Sequence, residues 1–481
     1  MDDLQKPGLL SGGQVSRREV LKKGLIGAAG LTVLPTVIAA CSSTAATPTA
    51  APAATAAPTA APTTGPTAAP TTAPTPAGQL TGVLKIGSNH SDPSEVNGMT
   101  QINAAFVAAT GLTPSMNTVD HNTFQDQINS YLGGTPDDAF TWFSGFRMRF
   151  FASKGLSTQI DDVWANVASN YTAGFTTAVT GDDKHVYGIP VDYYPWCVFY
   201  RPSVFTAKGY TVPSTWTDFL TLCAKMKTDG LTPIAFSDKD GWPAMGTFDI
   251  LNLRLNGYDF HVGLMTGTNK WTDPKVTTVF QTWAKLIPFY TNGYAGLTWQ
   301  QACDTLISKK AGMFFLGLFL TGEFATVEKG KAVSDVDFFP FPFMGNSYDA
   351  EAALDAPIDI WMLSAKSPTL QADLANAKAY LQFWAKGSTQ VIMYKNNNGF
   401  IPTANDADTS TYDPLTKKAV AIVSKAVKIT QFMDRDTRPD FAGANGMQSF
   451  LLTFLKNPNQ DLTALQASIQ KFWDALPAYS G

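Results

Sequence analysis

A chain of 481 residues with a formal net charge of −4 and no cluster of Lys or Arg lacks the concentrated basic face that a nucleic-acid binder needs. Aromatic residues make up 12% of it and charged residues only 15%, a balance that suits a ring-lined cleft for a neutral ligand. Beyond residue 41 the cysteines are Cys197, Cys223 and Cys303, an odd number spread far apart, which argues against a disulfide framework and for buried free thiols.

Ser16-Arg17-Arg18-Glu19-Val20-Leu21-Lys22 resembles a twin-arginine export signal, which is read on folded proteins. The apolar run from Gly24 to Ala40 is short for a spanning helix of about 20 residues, and it ends in Ile38-Ala39-Ala40-Cys41. Small residues before a Cys resemble a bacterial lipobox. That implies a signal peptide over residues 1–40, with Cys41 lipidated as the mature N-terminus on the extracellular face of the cytoplasmic membrane. An uncleaved signal anchor is the alternative. Ser42 to Gly78 is almost entirely Thr, Ala and Pro; with no aromatic residue to bury, it cannot offset its ordering entropy. Residues 41–79 therefore read as a disordered stalk, extended at about 3.1 Å per residue where polyproline II forms. Its threonines suit glycosylation.

About 400 residues remain, enough for two lobes of ordinary size. Val83–Ser88, Ser115–Val119 and Ala139–Phe143 read as strands. Between them lie helices, the first with Val96, Met99, Ile102, Phe106 and Ala109 on one face, the second with Phe124, Ile128, Tyr131 and Leu132. Strands alternating with helices at this spacing indicate an α/β fold with parallel pairing. Ligands of such sheets sit outside the carboxyl ends of the strands, which places Asn89, His90, Trp142 and Phe143 at a cleft edge.

Asp183 to Arg201 is a strand-like run cut by Gly188, Pro190 and Pro195. Proline cannot donate to a ladder, so this run reads as two strands with a crossover between sheets. Asp192, Tyr193, Tyr194 and Trp196 lie between or beside the breaks, flat rings with polar handles next to a carboxylate. Downstream, Ser214 suits the N-cap of a helix over Trp216–Met226. Pro233–Phe236 reads as a strand leading to a Gly/Pro loop that carries Trp242, a position for stacking on a ligand ring. Asp238-Lys239-Asp240-Gly241 is only a fragment of a calcium loop, lacking its spacing and terminal Glu, so no metal is expected. Gly312–Leu320 is a buried strand opening into a helix. Asp337–Phe343 and Ala356–Leu363 are strands, and the chain between them reads as the return crossover. The end of the chain reads as helices over 370–384, 414–427, 446–454 and 462–476.

Gly133-Gly134-Thr135-Pro136-Asp137-Asp138-Ala139-Phe140-Thr141-Trp142-Phe143 resembles the Gly-x-Pro-Asp segment of carbohydrate ABC transporter solute-binding proteins (family 1, maltose-binding-protein-like). Trp164 after Asp161-Asp162, Tyr187-Gly188-Ile189-Pro190, Tyr200-Arg201, Asn256–His261 and Asn398-Gly399-Phe400-Ile401-Pro402 continue the likeness in order. The resemblance implies a two-lobed, type II periplasmic-binding-protein-like fold with discontinuous lobes joined by hinge crossovers and a sugar held between them. The lobes expected are 80–191 plus about 345–400, and 192–344 plus about 401–481. It also implies that the end of the 312–320 strand faces the cleft, where relatives often carry a Trp and this chain has Leu318 and Phe319.

The candidate ligand contacts are thus Asn89, His90, Trp142, Phe143, Asp192 and Tyr193, with Tyr194, Trp242, Asp359, Asn398 and Phe400 from later in the chain. Asp192 and Asp359 would accept sugar hydroxyls in charge-assisted bonds. No nucleophile elbow, phosphate loop or His-Glu-x-x-His is present, so no catalysis and no cofactor are expected. The function expected is capture of an extracellular mono- or oligosaccharide by a monomer that delivers it to ABC permease subunits. The alternatives are a lipid-anchored carbohydrate-active enzyme, since two carboxylates suffice for one, or a lectin-like adhesin.

Overall fold

The computed structural model describes residues 79–328 and 334–478. The expected signal peptide, Cys41 and nearly all of the expected stalk lie outside the described residues. The elements that build the site come from both lobes. In the first lobe these are β1 (Lys85–Ser88), α1 (Pro93–Thr110), β2 (Ser115–Thr118), α2 (His121–Gly133), β3 (Ala139–Phe143), α3 (Phe146–Ser153), β4 (Ser157–Thr158) and β5 (Gly188–Tyr193). The chain then runs through β6 (Trp196–Tyr200), β7 (Thr232–Ala235), α4 (Trp242–Asn256), α5 (Trp299–Ile307), β8 (Ala311–Gly317) and β9 (Asp337–Phe339). It returns through β10 (Leu354–Asp355), β11 (Ile358–Ser364), α6 (Leu370–Trp384), α7 (Gly387–Asn396), β12 (Ile401–Pro402), β13 (Ile429–Thr430) and α8 (Met433–Asp436).

Two principal sheets result. The larger runs β12-β5-β11-β3-β1-β2, with β4 on β11; the smaller runs β7-β8-β6-β9. β1 pairs in parallel with β2 and β3, while β11 is antiparallel to both β3 and β5. The break expected at Pro195 is where the chain changes sheets: Tyr193 ends a strand of the large sheet and Trp196 opens one of the small sheet. Pro190 sits inside β5, opposite Ile360, at a register shift between Asp359 and Ile360. Irregular pairing is where a strand can hold a residue without an N–H. The return crossover lies between β9 and β11, and β10 with β13 forms a small parallel ribbon between them.

Two local expectations shift by a residue or a conformation. The helix before Met226 is capped by Thr215, whose hydroxyl accepts the Asp218 N–H, and not by Ser214. Trp242 is the first residue of α4 rather than a loop residue, because Gly241 takes a left-handed conformation and Pro243 suits a first helical turn. Cys197, Cys223 and Cys303 are free and buried. Among the described residues no helix is long and apolar enough to cross a membrane.

Buried acids give the fold a pH dependence of one sign. Loss of water pushes Asp355 up to about 7, Asp436 to about 6 and Asp238 to about 8. Burial opposes the charge of His90, but the Glu95 carboxylate outweighs it and lifts the imidazole to about 9. Each group holds its proton more tightly folded than unfolded. Its contribution is therefore complete below the ordinary value and is lost as pH rises through the folded one. We expect the thermal midpoint to fall steadily from about pH 5 to about pH 9, and Asp355→Asn to flatten the neutral part of that slope. A level profile across this window contradicts the assignment.

Candidate functional site

Two sheets joined by crossovers leave a cleft between their facing edges, whose empty space, open solvent included, is about 780 Å³. Its apolar side is a belt of rings. Trp196, just past the crossover, stacks on Phe432 at 4.9 Å between centroids and meets the Trp242 ring edge-on at 6.0 Å. Phe319 touches Trp242 at 6.1 Å, Trp299 at 5.2 Å and Tyr194 at 5.2 Å; Tyr194 then meets Phe400 at 5.6 Å. All of these rings line the cavity. Rings packed on one another in T-shaped and stacked pairs are held rigidly, and the faces left over are flat platforms. The indole N–H groups of Trp196 and Trp242 are buried without a hydrogen-bond partner, so both remain available as donors.

The polar side is built by strand ends and by helix N-termini. Asn89 and His90 follow β1; the Asn89 side-chain carbonyl accepts from the Thr141 hydroxyl at 2.7 Å, which fixes its amide. Asp92 caps α1 and Asp120 caps α2, while Trp242 opens α4 and Trp299 and Gln300 open α5. Four helices thus direct their positive N-terminal ends toward one cavity, where hydroxyl oxygens and carboxylates are favoured. Burial, and then the Glu95 carboxylate, raise Asp92 to about 7. The Thr123 N–H holds Asp120 below its ordinary value. Loss of water keeps His121 low and neutral.

At the floor, Asp359 of β11 accepts from Arg435 Nη1 of α8 at 2.8 Å and from the Tyr194 hydroxyl at 3.4 Å. The Arg435 guanidinium lies 3.8 Å above the centre of the Phe143 ring. Burial works against its charge, but Tyr194, Asp359 and Asp434 outweigh that and raise it further. Next to it, Arg147 of α3 binds Asp434 of α8 and donates to the Gln125 side chain at 3.2 Å. Phe432 itself is held at φ 90°, a conformation that non-glycine residues seldom adopt.

The structure brings Asn89, His90, Tyr194, Trp242, Asp359 and Phe400 together around the cavity. It places the other sequence candidates elsewhere. Trp142 and Phe143 are each 1% exposed, because β3 is interior to its sheet and α3 and α8 cover its end. They support the two arginines, Arg147 lying 5.7 Å over Trp142, rather than facing the cavity. Asp192 pairs with Asp359 across the β5–β11 register and is buried behind it; burial and that neighbour push its carboxyl well up. The Tyr193 side chain packs on Phe175 at 5.8 Å, and Asn398 binds Asp413. Phe319 does line the cavity, in the place where the resemblance led one to expect a Trp.

Sequence reasoning missed Asp434, Arg435, Phe432, Trp299 and Gln300. The signal was partly there: Met433-Asp-Arg-Asp-Thr-Arg438 is a dense charge run in a charge-poor chain. Thr298 and Gln301 form a capping box that marks the α5 N-terminus.

Comparison with known proteins agrees with this architecture. A protein of Pyrococcus horikoshii called an uncharacterized ABC transporter extracellular-binding protein is 27% identical over 300 residues, 61% of this chain and 64% of its own. A probable sugar-binding periplasmic protein of Rhizobium meliloti is 25% identical over 291 residues, 59% of this chain and 66% of its own. The chain thus spans just under two thirds of the length of these curated relatives. Among solved structures, the bacterial solute receptor AcbH, reported to have an exclusive substrate preference for β-D-galactopyranose, is 40% identical. It superposes with a TM-score of 0.77 over 81% of this chain and 98% of its own. A chitin oligosaccharide binding protein, 20% identical with a TM-score of 0.70 over 82% of this chain and 99% of its own, shares the fold. Residues 92–390 match bacterial extracellular solute-binding proteins, and the chain belongs to that family, whose two-lobed α/β fold it has.

Proposed function

We propose that this chain captures a neutral sugar in the cleft between its lobes and delivers it to the permease of an ABC transporter. The observation that carries the reading is the cavity itself, with rigid ring faces along one side and fixed carboxylates, amides and an arginine along the other. A pyranose offers both surfaces at once, apolar C–H faces for the rings and hydroxyls around its edge for the polar groups. The lobes divide at about residues 191, 344 and 400; the change of sheets after Tyr193 supports the first boundary, while β12 (Ile401–Pro402) still pairs in the first lobe's sheet. Asn89, His90, Tyr194, Trp242, Asp359 and Phe400 contact the sugar, joined by Trp299, Phe319 and Arg435. Trp142, Phe143, Asp192, Tyr193 and Asn398 act from behind that layer. The likeness to a galactopyranose receptor supports a sugar of that class.

Titration calorimetry of residues 79–481 against monosaccharides, disaccharides, amino acids and phosphate esters tests this. We expect binding to at least one sugar, without metal, and a loss of about 1–3 kcal/mol for Trp242→Ala, the range for a stacking residue. Binding only to amino acids or phosphate esters overturns the proposal. Steady release of reducing ends would point instead to an enzyme.

Location follows the N-terminal pattern. Cys41 carries the lipid that holds the mature monomer at the extracellular face of the cytoplasmic membrane. Cys41→Ser is expected to release the protein from the membrane or stall its processing. Full-length, unlipidated wild-type protein free in the cytoplasm would sink the idea.

A further inference from the structure

Two residues of the cavity wall, His121 and Gln125, form a relay one turn apart on one face of α2. The side-chain nitrogen of Gln125 lies 2.8 Å from His121 Nε2. The side-chain oxygen of the same amide accepts from Arg147 Nη1 at 3.2 Å. Arg147 is buried and is itself held by Asp434 of α8.

These contacts decide where the imidazole proton sits. A guanidinium has donors and no acceptor, so it must face the oxygen of the Gln125 amide. The amide nitrogen then faces His121, and that nitrogen can only donate. His121 Nε2 is therefore the acceptor and carries no proton. A neutral imidazole holds its single proton on the other nitrogen, Nδ1. The ring stays neutral because burial strips it of water; Arg435 and His90 oppose a further positive charge, and Glu95 and Asp359 do not make up the difference. It also stands at the N-terminal end of α2, where a cation is disfavoured. Phe143 packs against it at 5.9 Å between ring centres. Among the described residues nothing accepts from Nδ1, and it is not one of the atoms sealed from solvent without a partner. That leaves an accessible N–H on a ring that lines the cavity.

We propose that His121 donates its Nδ1–H to an oxygen of the bound sugar, and that Gln125 is the positioning residue that fixes this tautomer. The inference rests on the sugar-binding reading above and deepens it by adding an uncharged donor to the polar wall. Reversing the relay reverses the offer. With a carboxylate at position 125, Nε2 holds the proton and Nδ1 presents a lone pair, which repels the oxygen it otherwise binds.

Nuclear magnetic resonance of the protein labelled at its histidine nitrogens tests this. The chain has four histidines, and the signals lost in His121→Phe assign the ring. In the unliganded wild type at about pH 7 we expect a pyrrole-like Nδ1 and a pyridine-like Nε2. Saturating D-galactose, or D-glucose if galactose does not bind, should move the Nδ1 signal more than the Nε2 signal and keep the tautomer. Gln125→Glu should transfer the proton to Nε2. Its sugar affinity should fall about tenfold relative to wild type above the titration of the ring and recover below it, where the imidazolium carries both protons. Glu95 of α1, His90 after β1, Asp359 of β11, Arg435 of α8 and the adjacent Asp120 act on this ring, and Asp92 changes charge in the same range. The step is therefore read as the ratio of variant to wild-type affinity at each pH.

An Nε2–H tautomer or an imidazolium in the wild type at about pH 7 overturns the inference and leaves the sugar reading intact, and this arm needs no variant to fold. A bound spectrum in which Nδ1 does not move overturns it too, as does a folded Gln125→Glu with wild-type affinity from about pH 5 to about pH 8. If neither sugar binds, the inference falls; if no sugar of the wider panel binds, the function falls with it.

Discussion

Replacing Arg435 by alanine is expected to cost the fold about 3–5 kcal/mol and to abolish ligand binding, the most damaging single change in the cleft. The guanidinium is 6% exposed and lies between Asp359, the Phe143 ring and Tyr194. Removing it leaves Asp359 as a buried carboxylate without its cation, directly across the ladder from the buried Asp192. Breaking one partner of a buried pair costs far more than the pair contributes, because the remaining charge has lost water and gained nothing. Arg435→Lys keeps the charge but not the flat face that lies on Phe143, so it should recover stability only in part. Urea denaturation checks the first claim and calorimetry the second. A loss under about 1 kcal/mol would mean that water reaches Asp359 and that the floor is wetter than its burial implies.

Gly399→Ala is expected to weaken sugar binding by about 1–3 kcal/mol while leaving the melting of the unliganded protein nearly unchanged. Its new methyl would meet the Leu318 carbonyl oxygen at 2.4 Å and the Phe319 Cα at 2.5 Å. Neither is the end of a flexible side chain that can step aside. The clash is between lobes, so the unliganded protein relieves it by opening, and the ligand must then work against that opening. Small-angle scattering with and without sugar is the second readout. A variant with wild-type affinity and a wild-type fall in radius of gyration would show that the lobes do not need this contact.

The fold was legible wherever one residue's covalent chemistry decides the matter. Pro195 announced the crossover because a missing N–H is a fact of the residue, not of its surroundings, whereas Pro190, also read as a break, lies within β5. β3 was read with its true ends, since Gly133-Gly134 and the following turn residues bracket an apolar run. The site was legible only in part, and Trp142 shows why. A strand buried on both faces carries no alternation, so nothing in Ala139–Phe143 says which ring is covered by α3 and which meets the ligand. Arg435 was invisible for a related reason. Its role depends on α8 being laid over Phe143 by chain more than 290 residues later, and no local pattern encodes that. Phe432 adds a third limit: its ring stacks on Trp196 from a backbone at positive φ, which no propensity of phenylalanine foretells.

The position of β11 has a consequence for how the molecule comes into being. This strand lies between β3 and β5, which do not touch each other, so the first sheet is two separate pieces until residues 358–364 arrive. On the ribosome, about three quarters of the 481 residues must emerge before the lobe that begins the chain can close. Until then β3 and β5 each present an open edge, the kind of surface that recruits strands from other chains. Pairings so distant in sequence form slowly, because the intervening loop must be closed before any contact rewards it. The second sheet carries no such delay, since β6 to β9 are contiguous in sequence. Sheet assembly therefore runs against the order of synthesis: the sheet made later is complete first, at β9, while the earlier one still waits for β11.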